Sequence, residues 1–186
     1  MNKKQITIKI LIVSLIFTVG CEDNKDKPDD IIIPDLCSST IDTVISLSTV
    51  VTTNSVNDCS IYFNLITGMD ADSNNTWHLS VQIDSNNYSM PSIIFGQVNV
   101  AVYEDILFED LTETPSTFND DYVDDNSVFT YEGESEILSY DMTVHKVSVL
   151  EPDNVYVLYE PIGHTVYKLK FVEYTSGVTI FSFKKL

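Results

Sequence analysis

The chain carries three histidines and four methionines, and two of these stand three residues apart. They are Met142 and His145, in the stretch SYDMTVHKV at 139–147. A thioether and an imidazole are both donors to a transition metal, iron above all. The stretch itself reads as the turn and flank of a β-hairpin. The ordinary alternatives are a gap-filling methionine and a histidine at a strand start, hydrogen-bonded within its hairpin. His164 falls in a second turn, GHT, and is expected in solvent. His78 stands alone in a strand.

Other chemistry is sparse. There is no GxSxG elbow, no HExxH, no P-loop and no GxGxxG. Three scattered histidines make no catalytic triad by spacing, so no enzymatic activity is expected. Asp70, Asp72 and Asn74 alternate as the start of a calcium loop would. An EF-hand needs Gly at its sixth position and Glu at its twelfth, and here those are Asn75 and Val81. Solvated acidic loops are the simpler account, for NDDYVDDN at 119–126 as well.

The elements that must position Met142 and His145 are strands. WHLSVQI sets Trp77, Leu79, Val81 and Ile83 against polar neighbours, the period of a half-buried strand. SIIFGQVNVAVYEDI alternates again through Val98, Val100 and Val102, with Gly96 placed at a bulge. TIDTVISLSTVV and SIYFNLITG are rich in β-branched and aromatic residues. YVLYEP, TVYKLKFVEY and VTIFSFKKL follow late in the chain, the last two joined by TSG, a short loop with Gly177 that suits a hairpin. FEDLTETPSTFNDDYVDDN, 108–126, is irregular. No long segment has a helical period. The pattern predicts an all-β, antiparallel, two-sheet sandwich-like single domain over 37–186.

The first twenty residues have a different character. Lys3, Lys4 and Lys9 precede the apolar run ILIVSLIFTV, the n- and h-regions of a signal peptide over 1–20. TVG then precedes Cys21, which resembles a bacterial lipoprotein signal with Cys21 lipidated, although Thr18 stands where Leu is usual. An ordinary secretory signal is the alternative. EDNKDKPDD then resembles the surface-export signal of Bacteroidetes lipoproteins and also reads as a flexible acidic tether over 21–36. Removing the signal takes the formal charge from −18 to about −21, and there is no Arg. Such a surface repels phosphate backbones, so nucleic acid is not an expected partner. In an exported chain Cys37 and Cys59 are an even pair that points to a disulfide.

The order of elements resembles the HmuY family of Bacteroidetes haem-binding lipoproteins, over roughly 60–186. IYFNLITG, TWHLSV, IIFGQVNVAVYED, FEDLTETPSTFNDD and SYDMTVHKVSV follow in the family's order. The tract YKLKFVEY…GVTIFSF is the strongest single match. The resemblance implies an outer-membrane, lipid-anchored protein at the cell surface that clamps haem and supplies it to a TonB-dependent importer. It implies that Met142 occupies the place of the second axial iron ligand, with His145 beside it. The first ligand's place, upstream, has no His or Met between Met90 and Met142; Tyr122 and Tyr131 are the residues there with precedent as haem ligands. Lys146, Lys168 or Lys170 would meet the propionates. The alternative is a non-haem binding or scaffold lipoprotein on the same fold.

Overall fold

The computed structural model describes residues 37–43, 48–85, 89–118 and 137–186. The segments 1–20 and 21–36, with Cys21, lie outside the described residues, as do Tyr122, Tyr131 and all of NDDYVDDN. All secondary structure described is strand: β1 (Thr40–Thr43), β2 (Thr49–Thr52), β3 (Ile61–Asn64), β4 (Met69–Asp70), β5 (Leu79–Asp84), β6 (Met90–Phe95), β7 (Asn99–Tyr103), β8 (Leu138–Asp141), β9 (Lys146–Val149), β10 (Val155–Glu160), β11 (Thr165–Thr175) and β12 (Val178–Lys185). Every pairing is antiparallel. The protein is an all-β sandwich.

One sheet has six strands in the order β1-β2-β12-β11-β10-β7; a second has four, β4-β3-β5-β6; β8 and β9 form a separate hairpin. Period-two alternation places the core. On β12 Thr179, Phe181 and Phe183 point inward while their neighbours do not. From the smaller sheet Phe63 meets Phe181 and Phe183 edge-on, at ring-centroid distances of 5.3 and 5.6 Å. Phe95 meets Tyr156 with ring centroids 6.0 Å apart and the planes tilted by 51°. The core cluster thus draws on both sheets, with Ile137 and Leu138 of the β8–β9 hairpin added to it.

Two of the strand-rich segments each supply two strands. TIDTVISLSTVV is a hairpin, with Thr40 opposite Thr52. In IIFGQVNVAVY the chain leaves the four-stranded sheet after Phe95 and joins the six-stranded sheet at Asn99. Gly96 is therefore the crossing point between sheets and not a bulge within one strand. A Cβ there would lie 2.3 Å from the Trp77 carbonyl oxygen, so only glycine lets the two backbones pass. The bulge lies elsewhere: the β11–β12 register shifts between Phe171 and Glu173, which turns Val172 outward.

The outer face of the six-stranded sheet is covered as well. The irregular segment after β7 lays Phe108 and Leu111 on Val155 and Val157. Lys168, 1% exposed, rises from β11 beneath this segment. Its Nζ donates to the Phe108 and Leu111 carbonyl oxygens, the latter at 2.9 Å, and stands 4.6 Å over the Phe108 ring.

Cys37 and Cys59 are disulfide-bonded, with Cα atoms 6.0 Å apart. The bond ties the approach to β1, at one edge of the large sheet, to the approach to β3 in the small one. Replacing Cys59 with serine is expected to lower stability by about 3 kcal/mol, chiefly by freeing the unfolded chain. Thermal melts with and without reductant test this. Reductant should lower the midpoint of the wild type and leave that of Cys59→Ser where it is.

Candidate functional site

Three hairpins close with the same four-residue loop: 65–68, 142–145 and 161–164. In each, the last strand residue carries a side-chain acceptor that takes N–H groups from the loop. Asn64 Oδ1 accepts from Ile66 and Thr67, Asp141 Oδ1 from Thr143, and Glu160 from Ile162 and Gly163. In each, the fourth loop residue has a left-handed backbone: Gly68, His145 and His164, with φ of 67°, 51° and 51°. Asn, Asp and Glu supply the capping oxygen that the turning backbone needs.

Met142 and His145 are the first and last residues of the middle loop. Met142 is 54% exposed and His145 is also exposed. The Asp141 carboxylate, which also accepts from the Thr143 hydroxyl, is held below the usual carboxylate range by those bonds, the side-chain one foremost. His145 Nδ1 lies 2.6 Å from the Tyr140 hydroxyl. The loop 161–164 repeats the arrangement, with Tyr159 Oη 2.6 Å from His164 Nδ1. The pattern Tyr-acid-x-x-x-His occurs at 140–145 and 159–164, a local signal that the two matching turns share.

The lysines divide. Lys146 is exposed beside His145 on β9. Lys170 pairs with Asp153 at 3.2 Å. Lys168 cannot meet a propionate at the surface, because it is buried and its Nζ is engaged by two carbonyls. Burial is the main cause that lowers its pKa, and Glu109 and Asp110 oppose it.

The acidic loop after β4 holds no metal frame. Asp70 Oδ2 accepts from the Ser39 N–H at 2.5 Å, and Asp72 Oδ1 accepts from the Asn74 backbone and side chain at 2.8 and 2.9 Å. These bonds close a turn, and the Asn74 backbone bond is the first cause of the lowered Asp72 pKa. Among the described residues no cluster of three His, Cys, Asp or Glu is placed to hold a metal ion.

A cavity of about 480 Å³ opens at one end of the sandwich. Trp77 and His78 lead into β5, Gly96 and Gln97 form the crossing between sheets, Glu160 and Ile162 come from the β10–β11 turn, and the 74–76 turn completes the wall. His78 and Glu160 are 1% and 2% exposed. His78 Nδ1 accepts from the Leu65 N–H at 3.1 Å, which puts the proton of a neutral ring on Nε2. No protein group among the described residues bonds to that Nε2. The Glu160 oxygens accept from Ile162 and Gly163 at 2.7 and 2.5 Å. Sequence reasoning missed this site, since 82 residues separate His78 from Glu160. No local pattern joins them.

Burial lowers the His78 pKa below 6.5, and the Glu160 charge pulls it back only in part. An unfolded chain therefore takes up this proton at higher pH than the folded one. Stability from His78 is intact above pH 6.5 and is lost as pH falls through the folded value. Urea midpoints compared above and below that pH should fall more steeply for the wild type than for His78→Gln.

Among the described residues the fold is an all-β sandwich with an end-cavity walled by Trp77, His78 and Glu160, and with two Tyr–His hairpin tips. No protein-family model, curated protein or solved structure matches the chain.

Proposed function

We propose that this chain is a lipid-anchored binding protein of the outer-membrane surface, not an enzyme. In this reading it captures haem at the β8–β9 hairpin and passes it to a TonB-dependent importer. The supporting observation is the Tyr140–His145 pair. A histidine ligand is best held when its other ring nitrogen is already hydrogen-bonded. Tyr140 provides that bond at 2.6 Å and leaves Nε2 of an exposed residue for iron. Met142 offers a thioether from the same loop. A porphyrin plane separates two axial ligands, and a loop of four residues cannot reach both of its faces. Met142 and His145 are thus alternatives for one axial position, and Lys146 is the adjacent cation for a propionate.

The test is a titration of the full chain in detergent with ferric and ferrous haem, read by the Soret band. A saturable one-to-one shift is expected, and comparison of Met142→Ala with His145→Ala identifies the ligand. A spectrum identical to that of free haem would remove the haem reading. It would leave a non-haem binding or scaffold lipoprotein on this fold.

A further inference from the structure

The end-cavity has no part in the haem reading, and its lining has a chemistry of its own. His78 offers a buried N–H with no protein acceptor among the described residues. A buried donor without a partner costs about 1–3 kcal/mol, so the site favours a ligand that brings an acceptor. Glu160, whose two oxygens each accept one backbone N–H, keeps lone pairs for a further donor. Gln97 and Asn75 supply amides, which both donate and accept. No Lys or Arg lines the cavity, and Glu160 is buried in its wall, so an anion is disfavoured. A cation would satisfy Glu160 but would leave the His78 N–H without an acceptor. A hydroxyl group serves both.

Half-buried Trp77 adds an apolar face. Its ring is fixed by Tyr62 at 5.4 Å between centroids and by the close approach of Gly96. A flat aromatic ring beside amides, an imidazole N–H and a carboxylate matches a ring molecule with apolar C–H faces and a hydroxyl rim. Ile162, exposed at the mouth, adds further apolar surface. The volume of about 480 Å³ is within the range of small-ligand sites. We propose that this cavity binds a neutral sugar, a mono- or disaccharide, with Trp77 stacked on the ring and His78, Gln97 and Glu160 bonding its hydroxyls.

Trp77 is the chain's sole tryptophan, so its fluorescence reports on the cavity directly. The full chain, in a detergent without a sugar headgroup and without haem, is titrated with glucose, galactose, N-acetylglucosamine, lactose and cellobiose. Choline and inorganic phosphate serve as the cation and anion controls. A saturable change is expected with at least one sugar and with neither control. Gln97 is exposed, so Gln97→Ala should keep the wild-type melting midpoint while weakening the response about fivefold. Three results would each overturn the proposal: no saturable response to any of the five sugars, an equal response to choline or phosphate, or a sugar response undiminished in Gln97→Ala. The haem titration reads a different hairpin, so either proposal can fail alone.

Discussion

Lys168→Ala is expected to destabilise the protein by about 4 kcal/mol, more than a surface lysine ever would. Two losses combine. The Phe108 and Leu111 carbonyls lose their donor in a buried place, and the packed aliphatic stem leaves a void under the Phe108 ring. Lys168→Met separates the two, since it fills the space and omits the donor; about half the cost should remain. A pH series adds an independent check. The folded chain releases the Lys168 proton at lower pH than the unfolded chain, whose value is near 10.5. Between the two the unfolded state binds more protons, so this residue makes stability rise with pH there. The wild type should show that rise relative to Lys168→Met. An equal pH dependence in both proteins would contradict the assignment.

Phe63→Ala should cost a similar amount, about 4 kcal/mol, by a different route. Phe63 is fully buried and is the ring through which the small sheet meets Phe181 and Phe183 of the large one. Truncation removes two edge-to-face contacts and opens a cavity between the sheets, where neither backbone can move in to fill it. Phe63→Leu keeps most of the volume and should lose only about 1–2 kcal/mol. Urea unfolding measures both: the midpoint should move and the slope stay constant. A small loss in Phe63→Ala would mean that the sheets are held by something other than this aromatic contact.

The strand content was legible because period two is a local property. Leu79 and Val81 alternate as half-buried residues should, and they are buried. The hairpin around Met142 and His145 was also legible, since its turn is built from neighbours in sequence. What could not be read was which face would be covered from a distance. Val166, Lys168 and Lys170 alternate as the outer face of a strand, but the segment around Phe108, sixty residues earlier, closes over Lys168. Ser80 is buried on the face that alternation assigned to solvent. Gly96 reads equally well as a bulge or as a crossing, because both need a residue without a side chain. The meeting of His78 and Glu160 in one cavity wall exists only once the two sheets have met.

The strand order has a kinetic side. The hairpins β10–β11 and β11–β12 form from adjacent residues, whereas β2 finds its partner in β12, with Thr52 opposite Ile180. Contacts so remote in sequence are slow to close. A chain emerging from its N-terminus can join Cys37 to Cys59 early, but β1 and β2 cannot join the rest of the large sheet until β12 arrives. During that interval β2 presents an open edge to any neighbouring chain. The last strand to be made is thus the one that covers the free edge of β2.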